Sequence, residues 1–121
     1  MQIAQKNFYK KLLGRVGEKK AVDFLKKKGY KILETNYKTH IGEIDIIAQD
    51  EDVTVFIEVK TRSGGEYGSP SQAVNSKKQE KYFKVATEYL LRNDKTDVPC
   101  RFDVVEIENG EINLIFDAFC M

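Results

Sequence analysis

The sequence predicts an α/β fold: a mixed β-sheet flanked by helices, in the order α-β-β-β-α-β-β. Runs with helical spacing alternate with β-prone runs. Two hairpin signals, Asp50-Glu51-Asp52 and Asn109-Gly110, join neighbouring strands. The stretch between residues 62 and 101 leaves room for the helical crossover that a parallel neighbour requires. At 121 residues the chain is expected to form a single domain, 1–121, with one core.

The elements follow in chain order. Residues 9–28 read as a helix, stopped by Gly29 and carrying lysines in its last turn. "YKILETNY" (30–37) reads as a strand, and 43–49 and 53–62 as the two arms of a hairpin. "SGGEYGSPS" (63–71) is a glycine-rich loop. Residues 72–92 have helical periodicity, with Ala86, Tyr89 and Leu90 on one stripe. "RFDVVEI" (101–107) and "EINLIF" (111–116) are strands joined at Asn109-Gly110.

Composition narrows the setting. No apolar run reaches membrane-spanning length, and the first twenty residues lack the uninterrupted apolar core of a secretory signal. A cytoplasmic location with no membrane partner is expected. Cys100 and Cys120 have no metal-ligand spacing and read as reduced thiols. Net charge is only +1, but it is unevenly spread. Residues 1–41 hold eleven bases and three acids; 42–58 hold six acids and no base. Residues 59–92 hold seven bases and three acids; 93–121 hold two bases and seven acids. An acidic knot thus lies between two basic segments. Basic surface attracts phosphate, and a small acidic cluster within it suits a divalent cation; solvated lysines on helix faces are the plainer account.

The knot lies in "GEIDIIAQDEDVTVFIEVKTR" (42–62), where Glu43, Asp45, Glu58 and Lys60 interrupt the most β-prone segment of the chain. Strand alternation puts Ile44, Ile46 and Ala48 on one face and Glu43, Asp45 and Ile47 on the other. In the second arm Phe56, Glu58, Lys60 and Arg62 share a face. A two-residue turn at Glu51-Asp52 pairs Asp50 with Val53, Asp45 with Glu58 and Glu43 with Lys60. Two carboxylates directly opposite, with Cβ atoms roughly 5 Å apart, repel by about 3 kcal/mol at an effective dielectric of 20. Mg²⁺ relieves such a clash, since it takes hard oxygen ligands, often one or two carboxylates. Lys60, one side chain further along, is placed to meet a phosphate or orient a water. The competing account is surface pairing, Glu43 with Lys60 and Glu58 with Arg62, on a solvated sheet face.

Asp45 followed by Glu58-Val59-Lys60 resembles the PD-(D/E)XK nuclease motif, without its proline, since Ile44 precedes Asp45. "GRVGE" (14–18), "GYKILETNY" (29–37), "GEIDIIA" (42–48), "FIEVKTR" (56–62) and "RFDVV" (101–105) together look like the YraN family of small bacterial proteins, similar to Holliday-junction resolvases. The resemblance covers nearly the whole chain. It implies a restriction-endonuclease-like core, with Asp45 and Glu58 and the carbonyl of Val59 holding Mg²⁺ or Mn²⁺. It implies Lys60 as the catalytic lysine and Glu18 as a further catalytic acid from the first helix. Helical spacing independently puts Glu18 on the stripe of Gly14, Ala21, Val22 and Leu25, with Gly14 and Gly17 allowing close backbone approach; the alternative is local pairing with Arg15 or Lys19.

Other residues admit two readings each. Arg62, and Lys77, Lys78, Lys81 and Lys84 on the second helix, suit a nucleic-acid backbone or a solvated face. His40 suits a phosphate contact or an incidental loop position. The 63–71 loop borders the motif strand as a cover or as a linker. The expected function is metal-dependent DNA endonuclease, acting on branched or nicked DNA, with DNA as partner and a homodimer left open. The alternative is a nucleic-acid-binding module that keeps the fold without the activity.

Overall fold

Leu25, Gly29 and Tyr30 set the entry into the sheet. In the computed structural model, residues 2–62 and 76–120 are described, side chains 2–13 excepted. Helix α1 (Gln2–Lys27) ends in a Schellman motif. Gly29, at φ 93°, donates its N–H to Lys26, and the Tyr30 N–H reaches back to the Leu25 carbonyl at 3.0 Å. Tyr30 and Leu25 then pack in one apolar cluster, so the cap also aims the chain into strand β1 (Lys31–Lys38). The helix starts earlier than residue 9 because the segment before it contains neither glycine nor proline to stop propagation.

Strands β2 (Glu43–Asp50) and β3 (Val53–Arg62) follow, then helix α2 (Ser76–Arg92), β4 (Cys100–Glu108) and β5 (Glu111–Phe119). The sheet order is β1-β2-β3-β4-β5, with β3 and β4 parallel and every other pair antiparallel. This is the expected mixed α/β sheet in the order α-β-β-β-α-β-β, consistent with a restriction-endonuclease-like core. Helix α2 falls within the one parallel connection. The 63–71 loop and the expected helical residues 72–75 lie outside the described residues. No helix among the described residues is long and apolar enough to cross a membrane.

The helices cover opposite faces. Ala21 and Leu25 of α1 pack on Ile46, Ala48, Val55 and Ile57. Tyr82, Val85, Ala86 and Tyr89 of α2 pack on Ile47, Phe56 and Phe102, with Phe56 and Phe102 stacked at 5.3 Å. Burying each of the Val, Leu, Ile and Phe side chains among them contributes about 1.5–3 kcal/mol. At Gly17 the first helix comes closest to the sheet, where an added Cβ would lie 2.5 Å from Thr61 Oγ1; Gly14 has no neighbour within 4 Å.

Two local departures shape the site. The β2–β3 register is the one expected, from Asp50–Val53 to Ile46–Ile57, but the ladder stops there. The expected pairs Asp45–Glu58 and Glu43–Lys60 are not rungs of it. Strict alternation also fails: Ile44 packs with Ile47 on the α2 side, not with Ile46 and Ala48. A matching irregularity lies in β1. Thr35 pairs with Ile46 and Tyr37 with Ile44, and Asn36 between them adopts φ 50°. A left-handed residue turns the strand, and asparagine tolerates that conformation better than most.

Candidate functional site

Where the β2–β3 ladder ends, Asp45 replaces a backbone acceptor with its own side chain. Its Oδ2 accepts the Val59 N–H at 2.8 Å. The carboxylate is thereby fixed at the edge of β3, beside Glu58. Burial, then the charge of Glu58, pushes the Asp45 carboxyl up to about 7; the Val59 N–H and Lys78 act the other way. At neutral pH the Asp45 carboxyl is therefore poised between its protonated and ionised forms.

Glu58 is itself buried, its side chain only 8% exposed. Its counter-charge is Lys78 of α2, whose Nζ donates to Oε1 at 2.7 Å. Lys60 lies two residues beyond Glu58, half-buried, and forms no ion pair among the described residues. Arg62 does not face an open groove: it is buried and pairs through Nε with Glu106 Oε2 at 2.9 Å. The pairing partners of Glu58 and Arg62 are thus on α2 and β4, not on each other.

Glu18 reaches the site from α1. Its partner is not Arg15 or Lys19 but Asn36, whose Nδ2 donates to Oε2 at 2.8 Å. Burial raises the Glu18 carboxyl most, Asn36 eases it, and the charges of Asp45 and Glu43 raise it further. The field of Asp45 therefore reaches Glu18. Even so, among the described residues no three of His, Cys, Asp and Glu cluster tightly enough to hold a metal. The acids that meet directly are Asp45 and Glu58.

Two clefts flank this point. One, of about 410 Å³, is lined by Gly42, Glu43, Lys77, Lys78, Lys81 and Tyr82. The other, of about 340 Å³, lies along α1 and β1 and includes Arg15, Glu18, Lys19 and Asn36. Lys84 stands apart, beside an apolar groove with Ile41, Phe83 and Leu91. His40 is exposed in the β1–β2 turn, which Thr39 holds by accepting the N–H groups of Ile41 and Gly42 on Oγ1.

A second polar cluster was invisible in the spacing. Asp103, fully buried, accepts Arg101 Nε at 3.1 Å and the Asp117 N–H at 2.8 Å. Arg101 also donates to Asp50 at 3.1 Å and to the Tyr30 hydroxyl, and stacks 4.0 Å from the Phe116 ring centroid. These groups satisfy one another and tie β2, β4 and β5 to the end of α1. The available signal was Asp103 itself, an acid inside a strand like Asp45. Asn36 gave no comparable sign.

The sequence model of a family described as "Uncharacterised protein family UPF0102" matches residues 17–107. The chain is 53% identical over 115 residues to a UPF0102 protein of Alkaliphilus oremlandii, covering 90% of this chain and 98% of the relative. It is 49% identical over 108 residues to one of Clostridioides difficile, covering 88% and 95%. It is 49% identical over 98 residues to one of Symbiobacterium thermophilum, covering 81% and 83%.

Proposed function

This chain belongs to UPF0102, the YraN family, and within that family we propose that it is a metal-dependent DNA endonuclease acting on branched or nicked DNA. The carrying observation is the meeting of Asp45 and Glu58 where the β2–β3 ladder ends, both sequestered, with Asp45 pushed toward neutrality by burial first and by Glu58 second. Capping the Val59 N–H and pairing with Lys78 each use one of the acids, but neither role requires two carboxylates side by side. The donor set fits a hard divalent cation: Asp45, Glu58 and the Val59 carbonyl would hold Mg²⁺ or Mn²⁺, with two carboxylates as such ions usually take. A cation bound there supplies positive charge to a scissile phosphodiester.

The chain's own residues do the rest. Asp45, fixed by the Val59 N–H, is preorganised and loses little freedom on ligand binding. Lys60, half-buried two residues beyond Glu58, would stabilise charge on a phosphate oxygen or orient the attacking water. Lys77 and Lys81 line the adjoining cleft and suit the flanking phosphates. Glu18 acts through Asn36 and the field of Asp45, tuning the site from the α1 side.

The second reading is a nucleic-acid-binding module. It draws on Lys78, which already neutralises Glu58. One assay separates the two: labelled linear, nicked, flapped and four-way DNAs incubated with protein in Mg²⁺, Mn²⁺ or EDTA. Cleavage that needs the metal and is lost in Glu58→Gln supports the nuclease. Binding with no cleavage in any metal supports the module.

A further inference from the structure

Lys78 of α2 pairs with Glu58 of β3, twenty positions away in the sequence. Burial is asymmetric across the pair: the Glu58 side chain is 8% exposed and that of Lys78 is 44% exposed. A buried carboxylate stays ionised only beside a counter-charge, whereas a lysine on a flexible, half-solvated stem can exchange that partner for another.

The surroundings say where it would go. The cleft that Lys78 lines also holds Lys77 and Lys81, with Glu43 and Tyr82 beside them. While Lys78 is on Glu58, its charge is answered. Once another cation takes Glu58, three ammonium groups share one cleft and attract an anion. We propose that Lys78 is a displaceable counter-ion: it holds Glu58 in the metal-free protein, yields to a divalent cation, and is handed to a phosphate of the nucleic acid in the adjoining cleft. Metal and phosphate then enter together, each removing the charge that opposes the other. This makes Lys78 a positioning residue, and it rests on reading Asp45 and Glu58 as a cation site.

The test is calorimetric titration of Mn²⁺ into wild type, Lys78→Met, Lys77→Met and Glu58→Gln, with melting in EDTA alongside. Lys78→Met should bind Mn²⁺ at least about tenfold more tightly, because no charge-assisted hydrogen bond must be broken first. Lys77→Met should stay within about twofold, as expected for a solvent-screened charge. Lys78→Met should melt below wild type in EDTA and recover in saturating Mn²⁺. A short duplex oligonucleotide completes the test: Lys78→Met should lose affinity for it in Ca²⁺ but not in EDTA. Unchanged Mn²⁺ affinity in Lys78→Met, with wild-type binding abolished by Glu58→Gln, would overturn displacement while leaving the cation site standing. Equal loss of oligonucleotide binding in Ca²⁺ and EDTA would overturn the hand-over. No Mn²⁺ binding by either wild type or Lys78→Met would overturn the cation site and this inference with it.

Discussion

Asp45 couples the site to pH. Its carboxyl titrates at about 7 in the folded chain, against an ordinary value of 3.8. The folded pKa is raised, so between these values the native state binds the extra proton. The stability this confers is full below the ordinary value and is lost as pH rises through about 7. Wild type in EDTA should accordingly melt higher at about pH 5 than at about pH 8, and Asp45→Asn, which cannot ionise, should show a smaller difference. Equal pH dependence in both proteins, measured by calorimetry, would contradict the assignment. Lys60 makes a different prediction. Lys60→Ala should lower single-turnover cleavage by about a hundredfold or more, the usual loss of one charge-stabilising group, while Mn²⁺ affinity stays close to wild type. Cleavage at the wild-type rate would remove Lys60 from the mechanism.

The β2–β3 hairpin shows what strand rules reveal and where they stop. Loop length at Glu51-Asp52 was enough to set the register, because a hairpin turn leaves few alternatives. The approach of Asp45 to Glu58 followed from that register. The early end of the ladder did not, because it depends on Asp45 capturing the Val59 N–H, a choice between side chain and backbone that no periodicity encodes. Nor did the position of Ile44, which departs from strict alternation beside the left-handed Asn36 of a neighbouring strand. Lys78 was legible as a basic residue on α2 but not as the partner of Glu58, since that contact spans two elements twenty positions apart. Strands β4 and β5 make the same point about Arg101 and Asp103. Arg101→Met would strand a fully buried carboxylate, so it should destabilise the fold by about 3–5 kcal/mol in urea unfolding. Mn²⁺ affinity should hardly change, because Arg101 pairs beside Val55 near the far, turn end of the hairpin. A loss below 1 kcal/mol would mean that the network is not a structural tie.

With α1 and α2 on opposite sheet faces, Lys78 contacts the carboxylate pair from the α2 side, while Glu18 on the α1 side is held by Asn36. Under the proposed function a net charge of +1 is compatible with a polyanionic substrate, because the acids concentrate at one point and lysines line the cleft beside it. Replacing Lys77 and Lys81 with alanine should weaken binding to all DNA shapes alike and flatten the slope of log affinity against log salt by about two, one for each phosphate contact. An unchanged slope, followed by fluorescence anisotropy, would place the DNA elsewhere. The central claim, that Asp45 and Glu58 form a divalent-cation site, is met most directly by crystals soaked in Mn²⁺ and measured at the manganese edge. The account predicts one anomalous peak contacting both carboxylates, with Lys78 withdrawn from Glu58. Full manganese loading of the crystal with no peak between Asp45 and Glu58, and Lys78 still hydrogen-bonded to Glu58, would contradict it.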